Sequence, residues 1–265
     1  MINPALKALW NYRGFILGSV KREFQSKYTN SMLGVAWTVI QPLTMIFVYT
    51  VIFSQLMRAK LPGVEGVFGY SIYLCVGVIG WGYFAEIVGR AQSIFIDNAN
   101  LIKKLSFPRL CLPVTLVLNA SVNFGIIFSL FIIFMLVTGN FPGWVFFTII
   151  PVLLIQVLFA IGLGITLGVL NVFFRDVGQL FGVVLQFWFW FTPIVYPLNI
   201  LPAWLQGVMA LNPMATLIGT YQGVMVHGLM PDWIALIPIA LLSLFICFLG
   251  LRLFKKHSGE LVDEL

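Results

Sequence analysis

The sequence predicts an all-α integral membrane protein: six transmembrane helices, an N-terminal amphipathic interface helix, and an external re-entrant helical hairpin between spans 5 and 6. Three observations carry this. First, 60% of the 265 residues are hydrophobic and only 9% are charged, whereas ordinary soluble domains carry roughly a quarter charged residues. One folded core of this size cannot hide so much apolar side chain from water. Second, runs such as Val114 to Val137 contain no charge and exceed the ~20 residues that a helix needs to cross a bilayer. Third, the basic residues gather at the ends of such runs, where they set topology.

The spans fall at about Met32 to Met57, Gly69 to Gly89, Leu110 to Val137, Trp144 to Phe174, Gly178 to Pro197 and Trp233 to Leu251. They divide the chain into an interface helix (1–31), a transmembrane domain (32–257) and a short tail (258–265). Asn212-Pro213 cuts the stretch 198–230 into two apolar pieces, each under ~20 Å as a helix and too short for a ~30 Å hydrocarbon core. The basic residues decide how to treat it. With six spans, Lys7, Arg13, Lys21, Arg22, Lys27, Arg90, Lys103, Lys104, Arg109, Arg175, Arg252, Lys255 and Lys256 share one side, and only Arg58 and Lys60 lie on the other. The heavy side is cytoplasmic and holds both termini. A seventh span would put the basic tail outside, so 198–230 reads as the external hairpin, its backbone buried in protein or lining water.

Residues 6–25 alternate two sets at helical spacing: Lys7, Asn11, Gly14, Gly18, Lys21, Arg22 and Gln25 against Leu6, Leu9, Trp10, Ile16, Leu17, Val20 and Phe24. This is an amphipathic helix on the cytoplasmic leaflet, basic face toward the headgroups. The same bases interrupt any apolar stretch long enough for a cleavable signal. Cys75, Cys111 and Cys247 sit in apolar runs at unrelated spacings, as small hydrophobes do.

Catalytic chemistry finds no foothold. The phosphate-loop pattern G-x-x-x-x-G-K-[ST] is missing, so ATP hydrolysis in the usual way is not expected of this chain. His227 and His257 fall on opposite sides, and no catalytic or metal-binding cluster can be assembled. The net charge of +6 is confined to span ends, which disfavours nucleic acid. Ala160, Gly164 and Gly168 recur at i, i+4, i+8, as small residues do where two helices approach closely. Glu86 is the one acid expected inside the membrane, four residues from Arg90, a spacing that suits a local ion pair. So little buried charge weakens any proton- or sodium-driven carrier.

Several segments remain as candidates. In 97–109, Asp97 or Asn98 can cap a short helix that Pro108 stops. Leu101, Ile102 and Leu105 form its apolar edge, with Lys103 and Lys104 flanking. Such a helix can transmit motion from a cytoplasmic partner, or simply float at the interface. Arg175-Asp176 is a charged turn and a candidate cytoplasmic gate. Phe187, Trp188, Phe189, Trp190 and Phe191 are five consecutive aromatics. They suit an interfacial belt, yet they cover every face of a helix, so some point into the protein.

The run 21–37, KREFQSKYTNSMLGVAW, continuing to Gln41-Pro42-Leu43, resembles the basic opening of the permease subunits of ABC transporters that export cell-surface polysaccharides, within the ABC-2 exporter group. Thr29 stands where a second basic residue is common. Phe107-Pro108-Arg109, Leu112-Pro113, Phe173-Phe174-Arg175-Asp176, Thr192-Pro193-Ile194 and Leu211-Asn212-Pro213 match in order along essentially the whole chain. Within that group the resemblance is to the O-antigen/lipopolysaccharide transport permeases; capsule and teichoic acid exporters share the plan.

The resemblance implies a homodimer in the bacterial inner membrane, clamped to two cytoplasmic ABC ATPase subunits that bind ATP and Mg; no cofactor is implied in this chain. Lys21, Arg22 and Lys27 of the interface helix and the 97–109 coupling loop would meet the ATPase. The hairpin around Asn212-Pro213 would be an external gate, and residues 187–191 would line a path for a lipid-linked glycan. The rivals are an ABC-2 exporter of drugs or simple lipids, an enzyme acting on polyprenyl-linked sugars, and a structural scaffold. The enzyme would need carboxylate or histidine clusters that the scattered acids do not provide.

Overall fold

The computed structural model describes residues 10–26, 34–52, 68–104, 108–257, 259–260 and 264. Among these the regular structure is helical. α1 is Arg13–Ser26, α2 Trp37–Tyr49, α3 Gly69–Ala91, α4 Ile94–Asp97, α5 Ala99–Lys104, α6 Cys111–Val137, α7 Ile149–Phe173, α8 Asp176–Trp190, α9 Ala203–Ala210, α10 Pro213–His227 and α11 Trp233–Lys256.

α3 is the axis of the bundle. Its buried residues cover every face, from Ile72, Leu74 and Cys75 to Phe84, Ile87 and Val88, as expected of a helix that is apolar all round. α6, α7 and α10 pack on it. α3, α7 and α11 run in the same direction: Gln156 bonds to Gly80 and Asn171 to Gln92, while Phe173 reaches the His257 ring. α6 runs the other way, with Phe134 beside Phe68 and Asn123 beside Glu86. α8 likewise opposes α7, from Asn171 beside Gly178 to Phe159 beside Trp188. One end of the bundle therefore gathers Arg90, Lys103, Arg109, Arg175, Arg252, Lys255 and Lys256.

Small residues set the closest approaches. A methyl group on Gly162 would lie 2.6 Å from the Cys247 backbone nitrogen, and one on Gly250 would lie 2.8 Å from the Gly162 carbonyl. The other face of α7 meets α3: Gly164 lies 2.5 Å from Ala91 Cβ and Gly168 2.6 Å from the Ala91 carbonyl by the same measure. The small-residue spacing read in the sequence is thus a packing surface, and Gly162 adds a second one facing α11.

Four helical stretches are long and apolar enough to cross a membrane: Gly69–Ala91, Cys111–Val137, Gly143–Phe173 and Trp233–Lys256. Their outer faces leave Leu136, Val137, Leu154, Leu241, Phe245 and Phe248 exposed, apolar surface that suits lipid. The described part of the first expected span is shorter, Trp37–Ile52. The fifth differs from expectation. α8 has 15 residues, about 22 Å of helix, and stops at Trp190 where a helix through Pro197 was expected. Pro193 and Pro197 explain the stop, since each lacks a backbone donor and biases the residue before it away from helix.

Candidate coupling site

The end of the bundle that carries the bases contains α1, α4, α5 and the turn between α7 and α8. α4 and α5 are two short consecutive helices after α3, held by the chain's own polar groups. Ser93 Oγ donates to Asp97 Oδ2 across 2.6 Å. Asn98 Nδ2 donates back to the Ile94 carbonyl across 2.8 Å, while the Asn98 carbonyl accepts Leu101 and Ile102 N–H at 3.0 Å each. The Asn98 side chain therefore closes α4, where a cap on the following helix was expected; only its backbone oxygen starts α5. Ile102 is buried and Leu101 half-buried, while Lys103 is exposed, so the expected apolar edge faces the bundle. Lys104 ends α5; Leu105 and Lys27 lie outside the described residues.

α1 lies along α6. Ile16 is its buried residue, Lys21 and Arg22 are exposed, and Arg22 donates to Ser19 Oγ across 3.1 Å. Leu17, of the apolar set read in the sequence, is 62% exposed. Glu23 instead points inward. Its Oε1 takes Arg90 Nη2 and its Oε2 takes Asn119 Nδ2. Arg90 also reaches Glu86 at 3.6 Å, the ion pair expected from the sequence, and Asn123 Nδ2 donates to Glu86 Oε2 across 2.9 Å. Sequence reasoning missed Glu23, Asn119 and Asn123 because they lie far apart in the chain; a lone acid flanked by bases in 21–27 was the available signal. A cavity of about 280 Å³ separates this side of α1 from α4 and α5, lined by Phe15, Ser19, Glu23, Arg90, Asp97 and Leu101 among others.

Arg175 and Asp176 are both exposed, with Asp176 in the first turn of α8, where the helix dipole favours an anion. The buried Asn171, also missed, holds the turn: its Oδ1 accepts Gly178 N–H at 2.9 Å and its Nδ2 donates to the Gln92 carbonyl at 2.8 Å.

The aromatic run divides. Trp188 packs against Trp81, Phe84 and Phe159 and Phe189 against Trp81. Phe187, Trp190 and Phe191 are exposed. Beyond α8 the chain is irregular yet buried at Thr192, Pro193 and Ile194, so its carbonyls need donors inside the protein. Tyr73 OH supplies Pro193 at 3.1 Å and Tyr196 at 3.0 Å, Tyr70 OH supplies Val195, and Gln222 Nε2 supplies Pro193 at 3.3 Å. From Tyr196, beside Tyr73, the chain turns back through α9 to Asn212, beside Trp188, then leaves along α10. Ile218 and Tyr221 press on Gly80, and Gln222 on Gly77. Asn212 caps α10, with Pro213 in its first turn. A cavity of about 730 Å³ lies between α10 and α11, lined by Tyr73, Pro193, Gln222, Asp232 and Leu242 among others.

A multi-helix bundle with lipid-type outer faces, buried irregular backbone and a polar cluster at its basic end defines a polytopic membrane protein. The family comparison makes this specific. The sequence profile of the ABC-2 type transporter family matches residues 16–226, and the chain belongs to that family. It is 29% identical over 262 residues, 98% of each chain, to the O-antigen export system permease protein RfbA of Myxococcus xanthus. It is also 29% identical over 246 residues, 92% of each chain, to the RfbA protein of Klebsiella pneumoniae. A polysialic acid transport protein, KpsM of Escherichia coli, is 20% identical over 248 residues, 92% of this chain and 93% of that one.

Proposed function

We propose that the chain is the channel-forming membrane subunit of an ATP-driven exporter that moves lipid-linked polysaccharide of the O-antigen kind from the cytoplasm across the inner membrane. The observation that carries this reading is end-to-end similarity to O-antigen export permeases, 92–98% of each chain. Family membership supports energy supplied by a separate ABC ATPase dimer, with ATP and Mg bound there.

In this reading the chain crosses the membrane six times with both ends cytoplasmic, by the basic-residue rule, and acts as a homodimer. The exposed face of α8, with Leu180, Val183 and Phe187, and Phe191 just beyond its end, supports a role against a second copy or a passing glycan, because a helix of about 22 Å cannot span alone. α9 and α10 form the external re-entrant gate, and the adjoining cavity gives it room to move. Closure of the ATPase pushes on α4–α5 and on α1, and packed helices carry the movement as rigid bodies. The lipid stays in the bilayer while the sugars pass the aromatic wall.

The test is what accumulates in cells lacking the chain. Lipid-linked polymer trapped at the cytoplasmic face is the expected result; normal surface polysaccharide and no trapped polymer would refute the reading. Similarity to a polysialic acid transport protein favours a capsular polymer as the second reading, and the chemistry of the trapped glycan separates the two.

A further inference from the structure

The geometry points to Glu23 as the residue that carries movement of α1 into the transmembrane bundle, an inference that rests on the transport reading above. α1 and the α4–α5 pair are the two elements positioned to receive a push, and the cavity of about 280 Å³ keeps their facing sides apart. Glu23, on the wall of that cavity, ties α1 directly to the long helices instead. One carboxylate oxygen takes Arg90, the last turn of the axial helix α3, and the other takes Asn119 in α6. Arg90 passes the connection to Glu86, and Glu86 to Asn123, again in α6. Three helices thus share one polar cluster.

Magnitude decides what this cluster is for. The side chains of Glu23 and Arg90 are 44% and 39% exposed, and half-exposed ion pairs contribute little to stability. The bonds are directional, however, and a carboxylate with each oxygen on a different helix fixes the position of α1 relative to both. Glu23 is a positioning residue: it touches neither nucleotide nor glycan, and it transmits α1 displacement to α3, the helix whose other half holds the α10 gate.

Two variants test this with the full chain and its ATPase in cells. Asn119→Asp sets two carboxylates face to face and breaks the α6 link. In Glu23→Gln/Asn119→Asp the new amide donates to the new carboxylate, while the amide oxygen still receives Arg90. The readout is surface polysaccharide per membrane-inserted chain, divided by ATP hydrolysis of the purified complex. Asn119→Asp should lower this ratio about tenfold, within the range for coupling between distant sites, and the double variant should restore it to within about twofold of wild type. A structural role alone would lower membrane insertion and leave the ratio unchanged. Should Asn119→Asp fail to accumulate, the double variant carries the test, and accumulation without coupling overturns the inference. An unchanged ratio in Asn119→Asp overturns it too. If instead export does not depend on the wild-type chain, the transport reading itself falls.

Discussion

The indole nitrogen of Trp188 donates to Asn212 Oδ1 across 2.8 Å, fastening the last turn of α8 to the start of α10. The same oxygen accepts Met214 N–H at 3.0 Å. Asn212 Nδ2 donates to the Phe191 carbonyl at 3.0 Å and to Thr192 Oγ1 at 3.1 Å. Both donors and both lone pairs of one amide are in use. The end of α8 and the start of α10 are thereby joined as one body at the point where each lacks regular hydrogen bonds.

Asn212→Ala removes all four bonds, the helix cap included, and should cost about 2–4 kcal/mol. Trp188→Phe removes one bond and keeps most of the ring packing, for about 1 kcal/mol. Thermal unfolding of the purified protein in detergent should therefore rank Asn212→Ala well below Trp188→Phe. Equal losses would mean that the indole, and not the amide, organises this junction.

Close helix approach gives a second prediction with its own control. Gly162→Ala puts a methyl 2.6 Å from the Cys247 backbone, where no side chain can swing aside, so α7 and α11 must separate. The expected loss is at least about 1–3 kcal/mol. Gly125→Ala, with nothing within 4 Å of the added methyl, should be neutral or slightly stabilising. Matching melting temperatures for the two variants would contradict the α7–α11 contact.

Gln156 is fully buried and ties three helices: its Nε2 donates to the Gly80 carbonyl of α3 at 2.8 Å, and its Oε1 accepts Tyr221 OH of α10 at 2.6 Å. Gln156→Leu keeps the volume but strands the Tyr221 hydroxyl, at about 1–2 kcal/mol. Tyr221→Phe should relieve part of that loss in the double variant, since no hydroxyl is then left unpaired. Strictly additive effects would argue against the bond.

The sequence made the helices legible because a bilayer imposes length and apolarity directly: Gly69–Ala91 and Cys111–Val137 emerge within two residues of their expected ends. The packing role of Gly164 and Gly168 was legible for the same reason, a fixed helical period. Glu23 and Asn119 were not, because their meaning is a contact across 96 residues that no local spacing records. The early end of α8 had a visible cause in Pro193. Its compensation did not: the donors to the irregular backbone after α8, Tyr70, Tyr73 and Gln222, come from two other helices.

The α4–α5 segment proposed for coupling gives the last prediction. Ile102 is buried against the bundle and Leu101 lines the cavity between α5 and α1, so the two adjacent aliphatics should respond differently to charge. Ile102→Glu forces a carboxylate into apolar packing without a partner, and the chain should fail to accumulate, a loss of several kcal/mol. Leu101→Glu leaves its charge in a half-open, partly polar cavity that water can enter, so the chain should reach the membrane at normal levels. There the added anion meets Glu23 and competes with it for Arg90, which lines the same space, and so loosens the hold on α1; surface polysaccharide should drop about tenfold, in the range of a lost coupling contact. Immunoblotting of membrane fractions separates the first effect from the second. Normal export by Leu101→Glu at normal abundance would remove α5 from the coupling path and leave α1 as the sole route into the bundle.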